Sequence, residues 1–271
     1  MIRAICLREA IAEFVHDGDS IALEGFSHLI PFAAGHEIIR QQRRNLTLIR
    51  LTPDIIYDQL IGMGCAQRLV FSWAGNPGVG LLHRFREAVE KGWPGKLVLE
   101  EHTHGSLAAA YVAGAARLPF GTMRGYPDTD LLKTTSTVSA VECPFTGEKL
   151  AAVRAINPDV AIIHAQRADK QGNVQLWGIL GVQKEAVYAA SRVIVTVEEI
   201  CEKFDPVANG MVIPSWIVSA TVVAPGGARP SYTHGYYRRD NAFYQEWDSI
   251  ARDRGRFMSW MEQNVLEYVA V

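Results

Sequence analysis

Apolar positions near the start of the chain recur at helical spacing. In CLREAIAEFVHDGD, Leu7, Ile11, Phe14 and Val15 fall on one face at i, i+4, i+7 and i+8, which predicts an amphipathic helix. His16-Asp17-Gly18-Asp19 breaks the pattern, and Ser20-Ile21-Ala22-Leu23 then reads as a short buried strand. Gly25 follows that strand directly, and Pro31 to Arg40 has the periodicity of a second helix. Strand, glycine turn and helix in succession make the unit in which backbone N–H groups face a ligand.

The alternation continues. NLTLIRLT predicts a strand, IIYDQLIGMGC a short helix, and RLVFSW a strand that stops at Ala74-Gly75-Asn76-Pro77-Gly78. GLLHRFREAVEKGW is helical and ends at Gly92, with Pro94 beyond it; KLVLEE is another strand, and SLAAAYVAGAARL another helix. In the second half, DVAIIHAQ, RVIVTVEEI and SATVVAPGG are strong strands, and Gln171-Gly172-Asn173 marks a hairpin turn. The tail from Asn241 to Val271 reads as helical, with Phe243, Trp247, Ile250 and Phe257 as its apolar contacts. Residues 121–150 are polar and turn-rich, a long connection of the kind that carries function. The expectation is an α/β fold over 1–271, one domain, with an open, mostly parallel sheet and helices on both faces.

Composition narrows the function classes. A hydrophobic fraction of 48% with 21% charged residues belongs to a globular core rather than a disordered chain. The net charge is −2 and the one basic cluster, Arg40-Gln41-Gln42-Arg43-Arg44, sits at a helix end, so a nucleic-acid footprint is not expected. No apolar run approaches the ~20 residues of a membrane span, and the first residues lack a signal peptide's apolar core. Cys6, Cys65, Cys143 and Cys201 form no CxxC pair and no zinc spacing, which points to free thiols in a reducing cytoplasm.

Three stretches could carry chemistry. Gly25, Phe26 and Ser27 follow a strand, where a glycine lets the backbone approach a substrate and aim N–H groups at an oxyanion; the plainer reading is a tight turn. Trp73 and Asn76 lie at another strand end and offer an apolar wall and an amide, or only a Gly/Pro-rich connection. EEHTHGSLAAA holds Glu101, His102 and His104. If the stretch is extended, both imidazoles point the same way, but a zinc site needs a third ligand and only His164 offers itself. Otherwise one His or Glu serves as a general acid, base or donor, or the stretch is a helix start capped by Thr103 or Ser106. His16, His28, His36 and His83 lack acidic partners in the sequence. Glu198-Glu199 reads as a paired carboxylate or a strand-end salt bridge, and SYTHGYYRRDN after Pro225–Pro230 as a partner surface or an active-site cover. No GxGxxG, phosphate loop or GxSxG elbow is present.

Taken in order, LREAIAEFVHDGDSIALEGF, LVLEEHTHGSLAAAYVAGAARLPF, CPFTGEKLAAVRAINPDVAIIHAQRADKQGNVQLWG, VTVEEI, VVAPGGARPS and GYYRRDNAF resemble the A-type subunits of the class I coenzyme A transferases, those of glutaconate CoA-transferase above all. The resemblance implies an open α/β fold shared with ribose-5-phosphate isomerases and glucosamine-6-phosphate deaminases. It also implies a homologous B-type partner, an interface active site in a heterotetramer or larger assembly, and a glutamate of that partner that attacks the CoA thioester. Neither a metal nor a cofactor is implied beyond the CoA of the acyl-CoA substrate, whose partner is a carboxylic acid, a dicarboxylate such as a glutaconate-like acid included. Glu24-Gly25-Phe26-Ser27 stands in place of the family's Gly-Gly-Phe turn, with Glu24 the departure, and His104 stands where transferases carry Gln. On this reading His104 and the Gly25-Phe26 backbone polarise the thioester carbonyl, while Ser27, Trp73, Asn76, Glu101 and Arg124 line the acyl pocket. Arg124 would meet a carboxylate or a CoA phosphate. The alternatives are a related CoA-thioester hydrolase, C–C lyase or decarboxylase using His104, helped by Glu101, as acid–base, and a non-catalytic regulatory or sugar-phosphate-binding module on the same fold.

Overall fold

The computed structural model describes residues 5–76, 79–126 and 129–267. Its first half alternates as the hydrophobic pattern requires: α1 (Leu7–Phe14), β1 (Ser20–Glu24), α2 (Phe32–Arg40), β2 (Leu46–Arg50), α3 (Ile55–Gly62), β3 (Ala66–Phe71), α4 (His83–Lys91), β4 (Val98–Glu101) and α5 (His104–Ala115). The long connection expected at 121–150 is instead mostly ordered. It contains β5 (Phe120–Met123), a short α6 (Leu131–Thr134) and β6 (Val138–Glu142), and with β7 (Lys149–Arg154) it makes a separate antiparallel sheet of order β5-β7-β6. The second half supplies β8 (Val160–Asp169), β9 (Val174–Leu176), α7 (Gln183–Ala189), β10 (Arg192–Cys201), β11 (Met211–Ile213) and β12 (Ala220–Val223). The tail forms α8 (Asn241–Arg252), α9 (Arg254–Met261) and a π-helical turn to Leu266; residues 268–271 of the expected helical tail lie outside the described residues.

The main sheet is parallel in the order β12-β10-β8-β1-β2-β3-β4. From β1 the chain builds outward to β4 on one side; from β8 it builds outward to β12 on the other. The junction of β1 and β8 is thus a switch point, and the crevice beyond the carboxyl ends of strands at such a point is where open α/β sheets take ligands. One register detail shapes that crevice. β1 runs beside β8 only from Ile21 opposite Val160 to Glu24 opposite Ile163, and further along the same edge β9 takes Arg167 and Ala168 in antiparallel register. The chain therefore has to leave the sheet after Glu24.

Both faces are covered, and the strands alternate accordingly. Ile21 and Leu23 point into the core shared with Ile11, Ile38, Ile56, Leu60, Trp247 and Phe257, from α1, α2, α3 and the tail helices. Ala22 points the other way, into the cluster with Ile49, Val70, Leu107, Tyr111 and Ala186 under α5 and α7. Trp247, Ile250 and Phe257 are buried as expected, and Phe243 is half-buried against the same core. Among the described residues no helix is long and apolar enough to cross a membrane.

Candidate active site

The turn after β1 is tightly held. A Cβ on Gly25 would stand 2.7 Å from the Leu29 carbonyl oxygen, 2.9 Å from that of His28 and 2.9 Å from the Ile30 Cα, all backbone atoms. Ser27 and Leu29 take left-handed φ values of 57° and 55° so that the chain can reverse in so little space. The segment that begins at Ser231 clamps the turn from outside: Ser231 Oγ donates to the Ser27 carbonyl (3.1 Å), Leu29 N to the Tyr232 carbonyl (3.0 Å), and His234 N to His28 Nε2 (2.9 Å). The His28 ring packs against Tyr232, tilted by 46° with ring centres 4.6 Å apart. Phe26 remains 38% exposed. Gly25→Ala is expected to destabilise the protein by about 1–3 kcal/mol, because the clash is with backbone that cannot rotate away; chemical denaturation measures it.

Glu24, where the resemblance led us to expect glycine, turns its side chain inward. Tyr111 of α5 donates its hydroxyl to Glu24 Oε1 (2.9 Å). Below the turn, the buried Arg50 donates to the Gly25 carbonyl (2.7 Å) and pairs with Asp54 (2.9 Å) at the start of α3. Tyr57, under the Arg50 guanidinium, donates to the Ile49 carbonyl (2.8 Å). The turn is thereby tied to β2, α3 and α5. Burial pushes the Glu24 carboxyl up to about 7, a rise only partly countered by Arg50 and the Tyr111 hydroxyl. The folded protein thus holds this proton more tightly than the unfolded chain, whose carboxyl titrates near 4.5. That contribution to stability is complete below pH 4.5 and is lost as the pH rises through 7. Glu24→Gln, which keeps an acceptor for Tyr111, should remove the loss. Its unfolding free energy relative to wild type should rise between pH 5 and 8 by on the order of 3 kcal/mol, read from urea midpoints across that range.

EEHTHGSLAAA resolves differently from a metal cluster. β4 ends at Glu101, and α5 begins at His104 with Thr103 as its N-cap, Thr103 Oγ1 accepting from Ser106 N (3.1 Å). Because His104 already belongs to the helix, the two imidazoles do not share a face: His102 is buried and His104 exposed. The inward-facing pair in the stretch is Glu100 with His102, at 3.0 Å. Glu100 also accepts from Thr137 Oγ1 (2.7 Å) and Arg68 (3.0 Å). Its carboxyl is drawn down to about 2, chiefly by the His102 hydrogen bond. This pair fastens β4 to β3 and β6. Glu101 has an exposed side chain, and its carbonyl accepts from Thr135 Oγ1 (2.7 Å). Among the described residues no three His, Cys, Asp or Glu side chains gather as a metal site.

Trp73 lies at the carboxyl end of β3, 45% exposed, and covers Gly75. Asn76 is buried, and its amide donates to the Tyr244 carbonyl (2.8 Å) of the tail helix, so it anchors the loop to α8; Pro77 and Gly78 lie outside the described residues. Arg124 is exposed, its guanidinium fork already filled by Glu148 at 2.6 and 3.0 Å. Gly25 to Ser27, Trp73, Glu101 and His104 thus line one sheet edge, whereas Arg124 follows β5 of the small sheet. Some histidines with no acidic neighbour at useful spacing in the sequence acquire partners through the fold. His83 pairs with Asp248 (2.7 Å), and the buried His164 with Glu198 (2.7 Å). Glu198 also accepts from Gly226 N (2.8 Å) and Tyr237 (2.7 Å), while Glu199 pairs with Arg167 (2.8 Å). The two adjacent carboxylates face opposite ways and act as separate strand-end anchors.

The family model for "Coenzyme A transferase" matches residues 6–224. The chain belongs to the coenzyme A transferase family. It is 58% identical over 265 residues to the A-type chain of 3-oxoadipate CoA-transferase from Pseudomonas knackmussii, across 98% of this chain and 94% of that protein. It is 35% identical to the A-type chain of glutaconate CoA-transferase from Acidaminococcus fermentans, across 98% and 89%. The crystal structure of the latter enzyme superposes with a TM-score of 0.90 over 98% of this chain and 89% of that one. The decarboxylase AibA/AibB superposes at 0.81 with 30% identity, over 96% and 98%. This protein is therefore an A-type CoA-transferase subunit with the expected open α/β fold. Within that transferase fold, sequence reading missed Arg50 and Tyr111. A charge closing the apolar run LTLIR, four residues before Asp54, was the available signal for Arg50.

Proposed function

We propose that this chain is the A-type component of a heteromeric transferase that moves CoA from an acyl-CoA to 3-oxoadipate or a closely similar dicarboxylic acid. The observation that carries it is the 58% identity, over nearly the whole chain, to the A-type chain of a 3-oxoadipate CoA-transferase, against 35% to that of the glutaconate enzyme. The glutaconate-like acid expected from sequence gives way to this substrate. A homologous B-type partner supplies the glutamate that attacks the thioester. CoA departs as thiolate to leave an acyl-glutamyl anhydride, then attacks the glutamyl carbonyl, releasing the first acid and leaving a glutamyl-CoA thioester for the incoming acid. This chain's part is electrostatic. His104, exposed at the first turn of α5, stands at the positive end of the helix dipole and donates to the developing oxyanion together with the backbone of the Gly25-Phe26 turn. Phe26, Ser27, Trp73 and Glu101 border the acyl group. CoA enters only as part of the substrate, and four unpaired cysteines suit a reducing cytoplasm.

The test is to co-express this chain with a B-type partner chain and assay CoA transfer from an acyl-CoA donor. Transfer to 3-oxoadipate at a kcat/KM well above that for glutaconate is expected. Preference for glutaconate, or consumption of the thioester without transfer, would overturn the proposal.

A further inference from the structure

A dicarboxylic acid spends one carboxyl group in the thioester and keeps the other ionised, so the site needs a cation for the far end. Arg124 cannot serve without breaking its fork with Glu148, and Arg50 is buried against Asp54 and the Gly25 carbonyl. Of the other guanidinium groups beside the turn, Arg239 is held over the Tyr244 ring at 3.7 Å. Arg229 rests on the Tyr237 ring at 4.4 Å, and Arg238 is exposed; neither makes an ion pair among the described residues. Both line a pocket of about 250 Å³ with His36, Gln59, Ser231, Asp240, Phe243, Trp260 and Asn264. Arg238 also lines the adjoining cleft of about 530 Å³ formed by Tyr232, His234 and Tyr236. Ser231 and Tyr232 are the residues bonded to the β1 turn, so the two spaces meet at Arg238 just behind it.

The pocket's polar groups suit an anion. Gln59 is fully buried; its Oε1 is taken by His36 Nε2 (2.8 Å), while its Nε2 has no acceptor. A buried N–H in that state costs about 1–3 kcal/mol, which an acceptor in the pocket would offset. Burial holds His36 down to about 4, so it is neutral near pH 7. The one carboxylate, Asp240, accepts from Phe243 N as the cap of α8 (3.0 Å), and Asn264 donates to the Trp260 carbonyl (2.9 Å). Two guanidinium groups against one carboxylate leave the lining positive.

We propose that Arg238, with Arg229 and the Gln59 amide, forms the subsite that binds the remote carboxylate of the dicarboxylic acid; the assignment rests on the dicarboxylate reading above. Arg238 then sets specificity and takes no part in bond making. The experiment compares the A–B pair with its Arg238→Gln and Arg238→Lys variants, using 3-oxoadipate and 3-oxohexanoate, which has a methyl group in place of the far carboxylate. Arg238→Gln should lower the ratio of kcat/KM for the two acids by about 10- to 100-fold, through KM for 3-oxoadipate, and Arg238→Lys by less, since it keeps the charge but not the fork. An equal loss on both acids, or a rise confined to KM for the acyl-CoA, which would mark a contact to CoA phosphates, overturns the subsite. If the pair transfers CoA to neither acid, the functional reading fails, and calorimetric titration with adipate tests the subsite alone. Binding by wild type that Arg238→Gln weakens tenfold or more upholds it; no binding, or equal affinity in the two proteins, overturns it.

Discussion

Alanine in place of His104 is expected to lower kcat about 10²–10³-fold, the usual cost of losing one oxyanion donor, whereas glutamine retains most of the transfer. Both halves follow from where His104 sits. Its side chain is exposed, has no partner among the described residues and projects from the first turn of α5, so its replacement removes no packing. Thermal midpoints of both variants should match wild type, which separates chemistry from folding. Glutamine donates a neutral amide N–H and suffices if the task is to hold an oxyanion. If His104 instead moved a proton in hydrolysis, C–C cleavage or decarboxylation, glutamine would cost about 10²–10⁴-fold, like the loss of a general acid or base. Steady-state kinetics of the two variants in the A–B pair therefore decide between transfer and its relatives.

Arg50→Met should be the most destabilising single change, by about 3–5 kcal/mol, as for removing one partner of a buried ion pair. Arg50 is buried, and its loss leaves Asp54 unpaired and the Gly25 carbonyl without its donor. It also removes the positive charge that keeps Glu24 from an even higher pKa. Adding Glu24→Gln and Asp54→Asn to Arg50→Met should recover part of the loss, because Asp54→Asn takes away a buried carboxylate with no counter-ion and Glu24→Gln a carboxyl that can stay buried only by holding its proton. Urea denaturation of the single and triple variants measures both effects. Equal stability of Arg50→Met and wild type would mean that the turn is held by packing alone.

The parts of this molecule that were legible in the sequence are those fixed by local pattern. The short apolar run of SIAL, the strand pattern of NLTLIR and the period-3.6 spacing of Leu7, Ile11 and Phe14 gave the parallel sheet and its covering helices, and Gly25 at a strand end gave the turn at the switch point. The small sheet escaped because β5, β6 and β7 are short, half-exposed strands whose burial does not alternate cleanly. The internal wiring of the site escaped for another reason: its pairs are remote in sequence. Glu24 meets Tyr111 across 87 residues and Asn76 meets Tyr244 across 168. Nothing local distinguishes such an Asn from a substrate ligand. Within EEHTH, the strand continued to Glu101 and the helix began at His104, so the inward-facing pair is Glu100 and His102, while Glu101 and His104 stay exposed.

On the proposed function, this chain shapes and polarises a site whose nucleophile belongs to its partner. The most direct test is to incubate the A–B pair with acyl-CoA, quench with hydroxylamine and locate the resulting hydroxamate by peptide mass spectrometry. A single hydroxamate on a glutamate of the B-type partner and none on this chain is expected. A hydroxamate on a carboxylate of this chain, or consumption of the thioester with neither chain marked, would contradict it.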